Sequence, residues 1–444
     1  MLRKKTSEAQ EERLSEIVRF TSLVEKTYLR TGVVDMEALE QGMRVAALKD
    51  GARHLGFLIA RIGDGSMECT ECDMVMNGIG RRKKDVTTLL GETSVKRLYC
   101  KCPGCNTHSF PKDKLLDIEN TSFSPGVRRL MARCGARDSF ARGEEDLFIY
   151  SGINVGEKDI ERISEAIGAD IQTGEEVAHN NALENPPDNP SVPLMYIACD
   201  GTGVPVIKKE TAGRKGKQID GIARTREAKL GCVFTQTGTD TKGRPVRDEG
   251  STTYTGAIET SEVFGNRLYA EALSRGLLNA SNVVVLGDGA RWIWNLADFY
   301  FPEACHIVDL YHAREHLHAL IKILSPPGET ASEWFAFLEE GNIEKLIESM
   351  SKVLPLDENN RSQAKTEVEY FKTNACRMRY AEYRKKNFFV GSGVIEAGCK
   401  NIIASRMKKS GARWSIRGAN SIIALRCCLA SSRFEDYWAD RIAA

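Results

Sequence analysis

The chain has 444 residues, of which 42% are hydrophobic and 28% are charged, and its net charge is +1. A chain of this length exceeds one ordinary core, so we expect two to four domains. The small net charge neither indicates nor excludes a nucleic-acid partner, because the clustering of basic residues matters more. No apolar run is long enough to cross a bilayer, and the charged N-terminal segment lacks a secretory core. We therefore expect a cytoplasmic protein without a membrane partner.

The first 60 residues show the periodicity of amphipathic helices. Apolar side chains recur every three to four positions in residues 8–29 and again in residues 36–51. We predict an N-terminal helical region over residues 1–60, which is either an ordinary cap on the next domain or an arm for oligomerisation.

The cysteine pattern indicates a metal site rather than a disulfide framework. The thirteen cysteines are odd in number and unevenly spaced, which is typical of reduced thiols. Four of them form two Cys-x-x-Cys pairs, Cys69 with Cys72 and Cys102 with Cys105. Because two such pairs hold one tetrahedral ion, residues 61–120 are predicted to be a zinc ribbon with structural Zn²⁺. Cys100 is an alternative ligand to Cys102, and four buried cysteines without metal are the competing interpretation.

Residues 121–178 are predicted to form a helix-turn-helix-like DNA-binding domain. Apolar periodicity indicates three helices, the second over residues 139–150 and the third over residues 157–167. A three-helix packing unit without DNA contact explains the pattern nearly as well. Residues 179–193 are rich in Asn and Pro and are predicted to be a linker.

Three acidic residues stand where buried elements end or begin. Asp200 follows an apolar strand and precedes a predicted turn at residues 201–203, and Asp288 follows a second, β-branched strand. Glu396 opens a helical pattern near the C-terminus. A carboxylate at the end of a buried strand is costly unless a cation neutralises it. We therefore predict that Asp200, Asp288 and Glu396 share a divalent metal site.

The order of the predicted elements favours an α/β multidomain protein with an RNase H-like catalytic domain. Strands alternate with helices in residues 194–312, and the acids lie at strand ends. Residues 313–390 are predicted to be an all-helical insertion, and residues 391–444 to complete the catalytic domain. The N-terminal helices, the zinc ribbon and the helix-turn-helix-like domain precede it.

Basic residues cluster at three places that are candidate DNA contacts, with solvated surface as the alternative interpretation. The run between the cysteine pairs is typical of a solvated loop. One Trp interleaves the C-terminal cluster and is a candidate for base stacking. The residues are Arg81, Arg82, Lys83 and Lys84; Lys158 and Arg162 on the third helix; and Lys400, Arg406, Lys408, Lys409, Arg413, Trp414 and Arg417.

Six short motifs follow one another along most of the chain. They are Asp200-Gly-Thr-Gly203, Thr225-Arg-Glu-Ala-Lys-Leu-Gly231, Gly287-Asp-Gly-Ala-Arg-Trp-Ile-Trp294, Asp309-Leu-Tyr-His312, Gly391-Ser-Gly-Val-Ile-Glu396 and Ser410-Gly-Ala-Arg-Trp-Ser415. In these motifs the chain resembles insertion-sequence transposases of the DDE type, in particular the ISKra family, which is related in plan to Mutator-like transposases.

The resemblance implies that Asp200, Asp288 and Glu396 are the catalytic triad and that Asp309 and His312 form an Asp-x-x-His signature. Two Mg²⁺ or Mn²⁺ ions would activate the attacking oxygen and stabilise the leaving one. The expected partners are double-stranded DNA, as terminal inverted repeats and target, and a second copy of the chain. His312 either acts on a phosphate or a leaving group, or fixes Asp309. A bacterial, nucleoid-associated protein is implied.

Two other classes of function compete with a transposase. One is a catalytically inactive or domesticated zinc-ribbon DNA-binding protein, which would not need three intact acids. The other is an RNase H-like nuclease without strand transfer. Assays with labelled inverted-repeat DNA and Mg²⁺ separate binding, cutting and joining.

Overall fold

The computed structural model describes residues 15–216, 220–353 and 358–443, which form two compact units. The first unit comprises the described residues up to Gly135 together with Phe140–Ile163. The second comprises Ala136–Ser139 together with the chain from Ser164 onward. The first fourteen residues, and with them the start of the helix predicted over residues 8–29, lie outside the described residues. Among the described helices, none has both the length and the apolar character that a membrane crossing requires.

The first unit begins with two helices, as the periodicity predicts. They are α1 (Glu16–Thr31) and α2 (Met36–Arg61). Asp50 of α2 is buried, and its carboxylate accepts the backbone N–H groups of Glu16 and Ile17 at 3.0 and 3.2 Å. These amides have no partner within a helix, so an acid at the N-terminus of α1 stabilises the hairpin. None of the α1 residues is buried.

A three-stranded antiparallel sheet follows the hairpin. Its strands, in spatial order, are β1 (Asn77–Thr88), β2 (Gly91–Lys101) and β3 (His108–Ser109). The basic run Arg81–Lys84 lies within β1 and pairs with residues 95–98 of β2. The interpretation of this run as a solvated loop is therefore wrong, because the backbone of all four residues is held in the sheet.

Four helices follow, and the last of them crosses from the first unit into the second. They are α3 (Pro111–Leu115), α4 (Pro125–Arg137), α5 (Phe140–Ser151) and α6 (Glu157–Glu184). The helix α6 is 28 residues long and covers the first part of the predicted linker. His179 and Ala182 are buried on it, so its inner face continues past the point where the Asn-rich composition suggested a loop. The two units divide within α6, between Ile163 and Ser164.

The second unit is built on a five-stranded mixed sheet. In chain order its strands are β4 (Leu194–Pro205), β5 (Thr225–Gln236), β8 (Thr253–Ala257), β9 (Val283–Gly287) and β10 (Cys305–Val308), and a two-stranded ribbon of β6 (Gly238–Thr239) and β7 (Pro245–Val246) lies between β5 and β8. The spatial order is β10-β9-β4-β5-β8. The strands β4, β9 and β10 are parallel, and β5 is antiparallel to both of its neighbours.

The strand that carries Asp200 is longer than the sequence indicates. β4 runs without interruption through the glycines at 201 and 203, because β5 pairs with it as far as Pro205. The predicted turn at residues 201–203 is therefore wrong. Gly201 serves a close approach instead, since a Cβ there would lie 2.9 Å from a carboxylate oxygen of Glu227 on β5.

Helices surround the sheet and fill the segment between the second and third acids. They are α7 (Ser261–Ser274), α8 (Arg291–Tyr300), α9 (Leu310–Leu324), α10 (Gly328–Glu340), α11 (Ile343–Ser351), α12 (Glu358–Asn374), α13 (Tyr380–Lys385), α14 (Gly393–Gly398), α15 (Ser405–Met407), α16 (Ile416–Ala430) and α17 (Phe434–Ala443). The described part of the predicted insertion is helical. Its Trp334 is fully buried, and the indole N–H donates a hydrogen bond to the Ser349 hydroxyl at 2.8 Å. A π-helical segment (Cys399–Ala404) joins α14 to α15.

Candidate metal and nucleic-acid sites

Asp200 and Asp288 meet at one edge of the mixed sheet. The parallel strands β4 and β9 are neighbours with Ala198 opposite Leu286, so the acids two residues further on come to the same level. The Asp288 carboxylate accepts the backbone N–H of Ala290 at 2.8 Å. Burial, with the charge of Asp288 as a further cause, raises the pKa of Asp200. This matches the expectation that crowded acids resist ionisation without a cation.

The third predicted acid, Glu396 on α14, lies within 4.8 Å of Asp309 and His312; among the residues that the structure describes, Asp200, Asp288 and Glu396 do not form such a group. Ser392 donates its hydroxyl to Oε1 of Glu396 at 2.9 Å. Cys399, three residues after Glu396, hydrogen-bonds the carboxylate of Asp200. The segment that begins at Glu396 is therefore attached directly to the strand that carries the first acid.

Asp309 and His312 form the other side of this group. Asp309 is fully buried and caps α9 by accepting the backbone N–H of His312 at 2.8 Å. It also accepts the backbone N–H of Ser392. Burial alone would raise the pKa of Asp309, but the hydrogen bonds from His312 and Ser392 hold it below its usual value.

His312 lies between two carboxylates. Its Nδ1 is 3.6 Å from Oδ1 of Asp309 and 3.8 Å from Oε1 of Glu396. The Asp309 carboxylate, supported by the charge of Asp288, raises the pKa of His312 to about 9. Asp309, His312 and Glu396 offer one ligand atom each, all within 4.8 Å of one another. The sequence had placed Asp309 only in a signature with His312, although its position directly after β10 matches that of Asp288 after β9.

The helical insertion contributes to this edge of the sheet through a residue that the sequence did not single out. The Tyr370 hydroxyl of α12 donates to the backbone carbonyl of Asp288 at 3.0 Å. The Tyr370 ring stacks on His316, with centroids 3.7 Å apart, and His316 pairs with Glu367 at 2.6 Å. His316 is thus held in an ion pair with Glu367.

The four predicted zinc ligands converge in the first unit. Their Sγ atoms are 3.5 Å apart for Cys69 and Cys105, 3.4 Å for Cys72 and Cys102, and 3.6 Å for Cys72 and Cys105. Thiolates about 2.3 Å from one tetrahedral ion lie about 3.8 Å apart, so the set fits zinc closely. All are free thiols. A hydrogen bond with the Thr107 hydroxyl lowers the pKa of Cys105, whereas, against the backbone N–H of Met74, the neighbouring thiols raise the pKa of Cys72. The four thiols therefore share their protons unequally, and a metal would have to displace those that remain.

Cys100 is not part of the four-cysteine group. It lies on β2 in a small core with Cys69, Met76 and Cys102. Its burial raises the pKa of its thiol. The geometry therefore favours Cys102 over Cys100 as the third member of the ligand set.

The basic residues of β1 differ in how far they are engaged. Arg81 pairs with Asp64 at 2.8 Å, and Lys83 with Asp85 at 3.1 Å. The Arg82 guanidinium lies 4.1 Å from the ring centroid of Tyr99. Lys84 is mostly covered: its ammonium donates to the carbonyl of Ile118 at 2.6 Å and pairs with Asp113. Arg81, Arg82 and Lys83 are therefore the members of this run that are exposed.

The two basic residues of α6 are exposed and paired along their own helix. Lys158 contacts Glu161 at 2.6 Å and Arg162 contacts Asp159 at 2.9 Å. Pairs of this kind are worth little when exposed. They do not prevent either side chain from turning to a phosphate.

The C-terminal basic cluster divides into exposed and buried members. Lys400, Lys408, Arg413 and Arg417 are exposed, and Lys408 donates to the Thr202 hydroxyl at 2.5 Å, two residues from Asp200. Lys409 pairs with Asp138. Arg406 and Trp414 are both buried, and the Arg406 guanidinium carbon lies 4.9 Å from the centroid of the Trp414 ring. Their predicted roles in phosphate contact and base stacking do not fit these positions, because neither side chain presents a free surface.

Comparison with known proteins gives a family match and a distant structural likeness. The profile of the uncharacterised protein family UPF0236 matches residues 74–433. No curated protein matches the sequence. Among solved structures, the chain is similar to the Drosophila P element transposase strand transfer complex with 8% identity and a TM-score of 0.31. That similarity covers 67% of this chain and 90% of the other.

Proposed function

This chain belongs to the family UPF0236, and we propose that it is an insertion-sequence transposase of the DDE type with an RNase H-like catalytic domain, similar to the ISKra family. It binds the terminal inverted repeats of its element, cuts a DNA strand and transfers the 3′ end to target DNA. The observation that carries the proposal is the meeting of Asp200 and Asp288 at adjacent parallel strands, with Glu396 on a helix attached to Asp200.

The acids fit the cations that such chemistry uses. Carboxylate oxygens suit Mg²⁺ or Mn²⁺, and a cation would relieve both the burial of Asp200 and its repulsion by Asp288. Asp200, Asp288 and Glu396 would be the ligands that hold these ions. When bound, the ions would activate the attacking oxygen and stabilise the leaving 3′ oxygen.

The remaining residues of this edge position the acids and the DNA. Ser392 orients Glu396, and Tyr370 fixes the backbone at Asp288. Lys408 stands beside Thr202, where an exposed ammonium suits a DNA phosphate. The exposed members of the β1 run, Lys158, Arg162 and the zinc ribbon are assigned to the terminal repeats. A transposase must hold the two ends of its DNA element together, so we propose a homodimer in the bacterial nucleoid.

The test uses labelled DNA that carries the ends flanking the gene. Wild-type protein with Mg²⁺ is expected to give cut and joined products. Asp288→Asn is expected to lower cleavage about a thousandfold, since a metal ligand supplies several kcal/mol to the transition state. The same variant should bind the DNA with little change. The matched control is Glu333→Gln, which alters an exposed acid on α10 and should retain full activity.

Each alternative outcome has a defined meaning. Binding without cutting in the wild type would favour a non-catalytic DNA-binding protein. Cutting without joined products would favour a nuclease. Cleavage that survives in Asp288→Asn would show that the triad is assigned wrongly.

A further inference from the structure

The group of Asp309, His312 and Glu396 has features of a cation site in its own right. We propose that these three side chains bind a divalent transition metal, Mn²⁺ or Zn²⁺, through two carboxylates and one imidazole nitrogen. Glu396 would be common to this site and to the proposed catalytic acids, and strand transfer is not needed for the cation to bind.

The separations fit three ligands around one ion. Nδ1 of His312 lies 3.6 Å from Asp309 and 3.8 Å from Glu396, which is beyond a hydrogen bond. Ligands about 2.1 Å from one ion lie roughly 3 to 4 Å apart, depending on the angle between them. A single ion between the three atoms therefore accounts for both distances.

A second observation points to a missing partner. Among the residues that the structure describes, Nδ1 of His312 has no hydrogen-bond partner, although the atom is shielded from solvent. Buried ring nitrogens are normally satisfied. This nitrogen faces two carboxylates, so a divalent ion that displaced the imidazole proton would bind all three groups.

The carboxylates are already held in place from behind. The backbone N–H of buried Ser392 donates to Asp309, and its hydroxyl donates to Oε1 of Glu396 at 2.9 Å. Asp309 also accepts the backbone N–H of His312. Supporting hydrogen bonds of this kind orient metal ligands and reduce the reorganisation on binding. Ser392 would thus act as a positioning residue for two ligands at once.

The ligand set determines which ion is expected. Mg²⁺ prefers an all-oxygen shell. An imidazole nitrogen suits Zn²⁺ best, Mn²⁺ less well and Mg²⁺ least. The site should therefore bind Zn²⁺ or Mn²⁺ in the presence of excess Mg²⁺. This differs from the oxygen-only set of Asp200 and Asp288.

The test is pulsed electron paramagnetic resonance of the full chain with its cysteine site kept loaded with Zn²⁺. One equivalent of Mn²⁺ is added in excess Mg²⁺ and without DNA. A ¹⁴N coupling from a directly bound imidazole is expected. In protein labelled with ¹⁵N-histidine the coupling should change to that of ¹⁵N, a measurement that needs no substitution.

Variants then identify the nitrogen. His312→Gln should abolish the coupling and weaken Mn²⁺ binding at least tenfold. His316→Gln is the matched control, because His316 lies one helical turn away and is also paired with a carboxylate, yet it should retain the coupling. Asp288→Asn should retain it as well, since Asp288 is not one of the three ligands.

The results separate this site from the proposed function. An absence of nitrogen coupling in the wild type, or its persistence in folded His312→Gln, would overturn the proposed site. Neither result affects the transposase proposal, which depends on Mg²⁺-supported cleavage and its loss in Asp288→Asn. Failure of that cleavage assay with the coupling intact would overturn the function and leave the cation site.

Discussion

At the scale of single residues, folding disfavours the ionised form of the Glu175 carboxylate on α6. Burial, followed by the charge of Glu271, raises its pKa to about 7 in spite of Arg267 and Arg433. In the unfolded chain the pKa lies near 4.5. Between these two pH values the unfolded chain ionises Glu175 while the folded protein keeps it protonated. The free energy of unfolding is therefore greatest below the unfolded pKa and falls as the pH rises through 7.

Replacing Glu175 with Gln should remove this pH dependence. We expect the free energy of unfolding to rise by roughly 2–3 kcal/mol at pH 8 and to change little at pH 4.5, as the shift in pKa requires. Urea titrations at the two pH values measure the difference. Glu176→Gln, at an exposed neighbour, is the control and should have a small effect at both. An equal gain for Glu175→Gln at both pH values would contradict the explanation.

Single residues also show how far the sequence could predict the site. Asp200 and Asp288 could be singled out as candidate ligands because each follows an uninterrupted apolar strand, and Glu396 because it begins an amphipathic helix. Tyr370 and Ser392 could not be found in this way, since their roles depend on contacts 82 and 83 residues away along the chain. Trp414 was misread because an aromatic residue among basic ones resembles a stacking surface whether it is exposed or buried.

At the scale of elements, the π-helical segment after Glu396 is stabilised by one arginine. Arg426 of α16 donates to the Ile402 carbonyl at 2.6 Å and to the Ser405 hydroxyl at 2.9 Å, and also to the carbonyls of Asn401 and Ala136. Backbone groups displaced from regular helical bonding need such partners. Burial lowers the pKa of Arg426, because it disfavours the charged guanidinium. The carbonyl oxygens that accept its hydrogen bonds compensate part of that cost.

Loss of these bonds should destabilise the second unit. We expect Arg426→Gln to lower the free energy of unfolding by about 2–4 kcal/mol, because several backbone carbonyls lose their donor. Arg426→Lys should recover only part of this, since one ammonium cannot reproduce a guanidinium that bonds several acceptors. Urea unfolding followed by tryptophan fluorescence measures both. Arg413→Gln, at an exposed position, is the control, and a similar loss there would argue against a specific role for Arg426.

Element boundaries were predicted less well than element types. The strand β4 continues through two glycines because β5 pairs along its full length, and glycine alone suggested a turn. The helix α6 continues through Asn-rich sequence because His179 and Ala182 have buried positions to occupy. In both cases partners distant along the chain outweigh the local preference, which a reading of the sequence by itself does not include.

At the scale of the whole molecule, the two units differ in what holds them together. The second has a five-stranded sheet with helices around it. In the first, the clusters of buried residues described within residues 61–120 are small, such as Val86, Val95 and Ile118. Small cores supply little stability, so a structural metal usually contributes to folding there. The first unit should therefore depend on zinc and the second should not.

The five tryptophans make this dependence measurable. They lie at positions 292, 294, 334, 414 and 438, all within the second unit, so tryptophan fluorescence reports its unfolding alone. We expect Cys72→Ser with Cys105→Ser to release about one zinc per chain and to lower the thermal midpoint seen by circular dichroism, because a four-thiolate site contributes several kcal/mol to folding. The fluorescence midpoint should stay unchanged. Cys100→Ser removes a buried thiol outside the ligand group and should keep the zinc. Unchanged zinc content in the double variant would exclude the ribbon, and a shifted fluorescence midpoint would show that the second unit also depends on the metal.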